Sequence, residues 1–199
     1  MMKIILIGLI TTSLSLFSCT ERMKNNDRAF GNRSIHKNLT EQDIDTASDQ
    51  RLLHTVHDNL EQKHPEDYQR EYETVMAWNK SRQAIYMIWA LETEVNNGGY
   101  NQFYFNSSGQ FYKHLPQMLR LIGANKFASL TQKANDVFEH ENKKITKHQN
   151  GTIEGFSKSY DDNPLNEFDT AFQHLYQNED LYQLQIDYIR KNKMDFIDK

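Results

Sequence analysis

Apolar residues recur at helical spacing along most of the chain. Beyond residue 40 they follow the i, i+3, i+4, i+7 pattern of helices that bury one face, and they do not alternate strictly as in a half-buried strand. No pair of β-branched runs is separated by a hairpin turn. The pattern predicts an all-α single domain of about six to eight helices. The apolar stripes lie at Leu52–Leu60, Tyr68–Met76, Leu115–Ile122, Phe127–Phe138, Leu165–Tyr176 and Leu181–Tyr188.

One segment is apolar on every side. Ala84–Leu91 is a run of eight apolar residues, which by itself fits a buried strand as well as a buried helix. Because no helix breaker follows before Val95, we interpret Ala84–Val95 as a helix at the centre of the domain. Asn96–Gly99 is expected to end this helix, since Asn and Gly readily adopt positive φ. The aromatic stretch Tyr100–Asn106 is expected to form a short helix or turn pressed onto the core.

The N-terminus carries signals of export. After a short basic start, Ile4–Phe17 is mostly apolar, but it is shorter than the ~20 residues of a membrane span and is typical of a secretory signal. The sequence Leu-Phe-Ser-Cys at residues 16–19 resembles the bacterial lipobox, which implies cleavage before Cys19 and lipidation of its thiol. A plain signal peptide or N-terminal anchor with an incidental cysteine is the alternative.

This resemblance defines the expected layout of the chain. Residues 1–18 are interpreted as a lipoprotein signal peptide, 19–40 as a flexible tether and 41–199 as the folded domain. Several acyl chains on Cys19 would hold the domain firmly at a membrane. We therefore expect a lipid-anchored protein of the bacterial cell envelope.

Composition narrows the class of protein further. The chain has 199 residues and a net charge of −4, and 11 Phe, 10 Tyr and 2 Trp supply enough large side chains for a folded core. Cys19 is the only cysteine, which excludes internal disulfide bonds and cysteine-paired zinc sites. Acidic residues dominate 41–79 and 151–189, whereas 80–150 carries more bases than acids.

The stretch Glu94–Gly109 reads EVNNGGYNQFYFNSSG and is unusual. It resembles the signature of a bacterial domain family named after a DNA-mimic protein, and Leu121–Ala124 and the aromatic pattern of Leu165–Ile189 are also similar to it. The resemblance spans Leu52–Ile197. It implies an all-helical domain and, for the founding member, binding to a transcription factor through a DNA-like array of carboxylates.

Two features of this chain depart from a DNA mimic. Carboxylates that stand in for phosphates must be dense, whereas the middle of this chain is basic. A lipobox would also separate the domain from DNA-binding proteins of the cytoplasm. Mimicry therefore depends on the lipobox being unused, and direct binding of nucleic acid is not expected.

Catalytic patterns are few. No Gly-x-Ser-x-Gly elbow and no phosphate-binding glycine loop occurs. Glu92 and Glu94 are two positions apart, so on a helix they point to different sides, and we interpret them as charges that solubilise one end of an apolar helix. The histidines at 54, 57 and 64 do not match a His-Glu-x-x-His metal motif. No catalytic residue, metal or cofactor is expected.

Two groups of residues remain as binding candidates. The first is the amide-rich turn Asn96, Asn97, Gly98, Gly99, Tyr100, Gln102 and Asn106. Its amides either cap the central helix and fix the turn or line an amide-and-aromatic pocket for a ligand or peptide. The second is Asp161 and Asp162, which precede Pro164 beside aromatic residues and would suit a basic partner.

Two classes of function follow. The leading one is a non-catalytic module at the envelope that binds a protein or peptide of basic character and is attached to the membrane through Cys19. The alternative is an enzyme, such as a hydrolase, that uses Glu94–Asn106. A DNA-mimic inhibitor is a third hypothesis.

Overall fold

A computed structural model describes residues 35–64, 70–150 and 152–198. The predictions for Cys19, for the signal peptide, for most of the tether and for Tyr68 fall outside these residues. His36–Lys199 forms one compact unit.

The all-α prediction is confirmed, because every regular element in the described part of the chain is helical. Ten α-helices occur there, and three of them contain only four to six residues, so the other seven match the predicted number. They are α1 (Glu41–Thr46), α2 (Asp49–Glu61), α3 (Glu71–Ala77), α4 (Lys80–Phe105), α5 (Leu115–Leu121), α6 (Asn125–His140), α7 (Asn142–Ile145), α8 (Ile153–Lys158), α9 (Asn166–Leu175) and α10 (Leu181–Lys191). Three 3₁₀ turns lie at Ser107–Phe111, Thr146–His148 and Lys193–Asp195.

Side chains and glycine set several helix ends. Thr40 caps α1 in a reciprocal box with Asp43, and Asp180 accepts the Gln183 N–H at the start of α10. Gly123 follows α5 with φ +91°, the left-handed conformation that ends many helices.

Helix α4 is the centre of the domain, as predicted. Five of its consecutive residues, Ala84–Ile88, are buried, and α4 packs against α2, α3, α5 and α9. The expectation that Asn96–Gly99 ends the regular helix is confirmed, because the helical path is interrupted there and a second helical stretch, through Phe105, follows across a kink. Only Gly98 (φ −150°) and Gly99 (φ +73°) leave helical geometry. Trp89 is partly buried at the edge of the core, where its ring stacks on His57 with centroids 4.2 Å apart.

The aromatic stretch after the kink is pressed onto the core, as predicted. Tyr100 and Phe103 are fully buried, and Tyr104 stacks on Phe138 with ring centroids 4.0 Å apart. Their hydroxyls are bonded too, since Tyr104 donates to Asn135 and Tyr100 lies 2.9 Å from the Thr131 oxygen. This packing fixes the position of the kink.

The two ends of the compact unit meet at one carboxylate. Asp198 accepts hydrogen bonds from the Leu39 N–H, from Asn59 and from Lys63 at 2.8–3.1 Å, and it pairs with Arg82 at 2.9 Å. We call these five residues the terminal clasp. Burial raises the pKa of Asp198, but these hydrogen bonds outweigh it and bring the pKa down to about 2. In the described residues, no helix combines the length and the apolar character needed to cross a membrane.

Candidate functional site

The kink of α4 exposes backbone groups that side chains from the later part of the chain bind. The Tyr160 hydroxyl donates to the Gly98 carbonyl at 2.8 Å, and Asp169 Oδ1 accepts the Tyr100 N–H at 2.7 Å. A Cβ atom on Gly99 would collide with the Asp169 carboxylate. The two glycines therefore allow a close approach between α4 and α9 as well as the turn itself.

Glu94 organises the amides of the turn. Its Oε2 accepts hydrogen bonds from Gln102 at 2.7 Å and Asn106 at 2.8 Å, and its Oε1 accepts one from Ser108 at 3.2 Å. Asn97 in turn donates to Gln102 Oε1 at 3.0 Å. The interpretation of Glu94 as a merely solubilising charge is wrong. These bonds support the turn-fixing interpretation of the amides.

Glu92 lies on a different side of α4 and is partly buried. It accepts hydrogen bonds from Tyr176 and Gln185, both at 2.8 Å. Burial raises the pKa of Glu92, although both hydrogen bonds oppose the shift. The solubilising role expected for Glu92 is therefore also wrong, whereas the two glutamates do point to different sides of the helix.

The structure brings together the two groups of residues that the sequence offered separately. Residues 159–169, which include Asp161 and Asp162, cover the kink through Tyr160 and Asp169. Asn163 also donates to Asn101 at 2.9 Å, and Asn101 donates to Ser159 at 2.7 Å. Asn96 does not join this network, since it bonds to Gln173 and Tyr176 instead.

The resulting surface is acidic. Glu94 and Asp169 are partly exposed at the kink, and Asp161, which directly follows Tyr160, is exposed. Within residues 35–64, 70–150 and 152–198, none of these three carboxylates has a Lys or Arg partner. We call these three carboxylates and the kink beside them the kink face.

One expectation about this surface needs correction. Asp162 is not uncompensated, because it pairs with Lys144 at 3.0 Å. Both side chains are largely exposed, so the pair adds little stability. Asp161 remains exposed, as expected.

Burial and charge affect two titratable groups here. Burial raises the pKa of the Asp169 carboxyl, and the Tyr100 N–H partly opposes this. Burial also raises the pKa of Tyr160, with Asp169 and Glu94 acting in the same direction and the Asn101 bond opposing them. The Tyr160 hydroxyl is thus a stable donor near two carboxylates.

The carboxylates at the kink and two of the histidines contact other groups of the domain. Both Glu94 oxygens and one Asp169 oxygen accept hydrogen bonds from the protein itself. Among the residues that the structure describes, no group of three or more His, Cys, Asp or Glu is placed to hold a metal ion. His57 stacks on Trp89, and His64 stacks on Tyr86.

Sequence reasoning missed Asp169 and Tyr160 as members of this site. Asp169 lies in the first turn of α9, where the helix dipole already explains a carboxylate. Its contact with Tyr100 and the contact of Tyr160 with Gly98 join residues that are 69 and 62 positions apart. No local pattern in the chain indicates either contact.

Comparison with known proteins gives one match. The sequence model of a family described as DMP19-like protein matches residues 76–192. The matched range includes the whole of α4, the kink and every helix through α10. No curated protein and no solved structure matches the chain.

Proposed function

The chain belongs to the DMP19-like protein family, and on this basis we propose that it is a non-catalytic module that binds a basic protein or peptide. The single observation that carries the proposal is the kink face. Three carboxylates lie beside one kink, and in the described part of the chain none of them is neutralised by Lys or Arg. Such a surface attracts a basic partner and orients it.

The hydrogen bonds of the kink face favour binding over catalysis. A general base or nucleophile needs a lone pair that can reach the substrate. Glu94 uses three of its about four lone-pair sites for hydrogen bonds from its own chain, and the Tyr100 N–H fixes the orientation of Asp169. The carboxylates are therefore fixed charges, which suits recognition.

The rest of the acidic surface favours a local interaction over an extended imitation of DNA. In the first acidic segment, Glu41 and Asp45 pair with Lys193, and Asp49 pairs with Arg190. These pairs neutralise charges that a phosphate-like array would leave free. The carboxylates of the kink face have no such partner in the described residues.

The proposal includes attachment to the envelope through Cys19. Lipidation at this residue would hold the domain near the membrane through the residues before His36. Replacing Cys19 by Ala should abolish lipid incorporation and leave an uncleaved or released product. An unchanged mature mass and unchanged membrane fractionation of this variant would exclude the anchor.

A capture experiment tests the kink face directly. The full chain is immobilised and exposed to an envelope extract, and the wild type is compared with the double variant Asp161→Asn/Asp162→Asn, which removes two charges from the segment that covers the kink. The control, Glu73→Gln/Glu141→Gln, removes the same charge from exposed positions outside the kink face. We expect a basic protein that the wild type and the control retain and the kink-face variant loses.

The salt dependence provides an independent readout. Exposed charges are screened over about 8–10 Å at physiological ionic strength, so retention should weaken as salt rises from low to physiological concentration. Equal capture by both double variants, or capture that is insensitive to salt, would exclude the kink face as the binding surface.

A further inference from the structure

A second surface of the domain, between α6 and α9, has the opposite character. A groove of about 420 Å³ lies there, within the range of roughly 300–1,000 Å³ that is usual for ligand sites. Its lining residues are Asn125, Lys126, Ser129, Leu130, Lys133, Ala171 and Leu175. We call it the lysine groove.

The lysine groove has an apolar floor. Leu130, Ala171 and Leu175 are only partly buried, and the two leucines pack against the core. Ala171 and Leu175 are four positions apart and share one side of α9. Asp169 precedes Ala171 by two positions and therefore leaves α9 on roughly the opposite side, toward the kink face. The two surfaces can be altered independently.

The polar atoms of the lysine groove are positively charged or already bonded. No carboxylate lines it. Ser129 donates to its own helix, and Lys126 donates to the Asn178 carbonyl at 3.0 Å. In the part of the chain that the structure describes, the ammonium group of Lys133 has neither a hydrogen bond nor an ion pair. The groove thus presents an unneutralised cation beside apolar surface.

The backbone at the N-terminus of α6 is not free to attract an anion. The Glu179 carboxylate already accepts the N–H groups of Lys126 and Phe127 at 3.0–3.1 Å. An anion from outside would therefore be bound by the lysine side chains and not by the backbone of the helix.

We propose that the lysine groove binds an acidic amphipathic helix of a partner protein. Apolar side chains of that helix would cover Leu130, Ala171 and Leu175, and its carboxylates would reach Lys126 and Lys133. The two lysines are seven positions apart on α6, which corresponds to about 10 Å. The partner helix therefore carries carboxylates about seven positions apart, with apolar residues at the third or fourth position between them.

Charge excludes one occupant from this chain itself. Residues 20–38 contain five basic and two acidic residues, so the lysine groove repels them. The remaining alternatives are an anionic membrane surface and a second copy of the chain. Both are outcomes of the test below.

The test selects short peptides from a random display library on the full chain, with the variant Lys133→Glu used for counter-selection. We expect enriched peptides with the spacing given above, whose affinity falls about tenfold or more on Lys133→Glu. The control Lys147→Glu makes the same charge change at an exposed lysine outside the groove and should leave affinity unchanged. Circular dichroism confirms that both variants are folded.

Three results would overturn the proposal. One is that the enriched peptides are basic or uncharged, or that the binding of none of them depends on Lys133. Another is that the full chain binds vesicles containing an anionic lipid and that Lys133→Glu abolishes this binding, which would assign the groove to a membrane surface. The third is self-association, measured by light scattering, that the same change abolishes. Asp161→Asn should leave peptide binding unchanged, so a failure here is distinguishable from a failure of the proposed kink-face interaction.

Discussion

Replacing Gly99 by alanine should destabilise the domain strongly. Gly99 combines φ +73° with ψ −178°, a region that is essentially restricted to glycine and costs other residues about 1–3 kcal/mol. The new Cβ would also collide with the Asp169 carboxylate, which must move and release the Tyr100 N–H. Losing a hydrogen bond to a charged group costs about 1.5–3 kcal/mol. The two terms together predict a loss of about 3–5 kcal/mol in the free energy of unfolding.

Gly123→Ala is the matched control for this prediction. Gly123 also has positive φ (+91°), but the nearest atom to a Cβ there is Leu184 Cδ2 at 3.7 Å, an ordinary contact. Its replacement should therefore cost only the backbone term, about 1–2 kcal/mol. Urea-induced unfolding, followed by far-ultraviolet circular dichroism, measures both variants. If the two alanine variants lose the same stability, the contact of Asp169 with the kink contributes nothing, and our account of the kink is incorrect.

Three further predictions concern stability. The raised pKa of the partly buried Glu92 means that the folded state loses stability as pH rises above the ordinary value of 4.5. In Glu92→Gln the urea midpoint should therefore decline less over this range, and parallel pH profiles of the two proteins would contradict this. Because the pKa of Asp198 is lowered, this carboxylate stabilises the fold at pH values above its ordinary pKa of 3.8, and the contribution is lost as pH falls toward about 2. Asp198→Asn should therefore cost about 1–2 kcal/mol at neutral pH and very little at the acid end. Urea titrations at both pH values measure the difference. Trp89→Ala should lower the free energy of unfolding by about 2–3 kcal/mol, which is less than for a fully buried tryptophan, because Trp89 lies at the edge of the core and stacks on His57. Thermal or urea unfolding measures this change. A loss below about 1 kcal/mol would show that the stacking is unimportant.

The helices could be predicted from the sequence because each must bury a stripe of its own surface. Ala84–Ile88 is a clear case, since a segment that is apolar on all sides has no place except the centre. The interruption of α4 at Gly98 and Gly99 could be predicted as well, because glycines commonly end a helix. The partners of the kink could not be predicted: Tyr160 and Asp169 bind the backbone groups that the glycines release. Those partners lie more than 60 positions away, where local propensity carries no information.

The candidate site could be predicted from the sequence only in part, for a similar reason. The amides of Gln102 and Asn106 were recognisable as a cluster, but the same residues are compatible with a pocket and with a fixed turn. Their common acceptor, Glu94, decides between these interpretations through geometry alone. Glu92, two positions earlier, has the same residue type and the opposite environment, which no property of the sequence distinguishes.

The terminal clasp also has a mechanical consequence. Residues before His36 join the compact unit next to Leu39, whose N–H is bonded to Asp198. A pulling force transmitted along the chain from the N-terminal side would therefore meet the bonds of Asn59 to the His36 and Lys37 carbonyls, and then a carboxylate that is tied to α2 through Asn59 and Lys63 and to α4 through Arg82. The load would be divided between two packed helices and would not peel α1 away from its end. A domain built in this way can be held under tension at its N-terminal side while the kink of α4 keeps its shape.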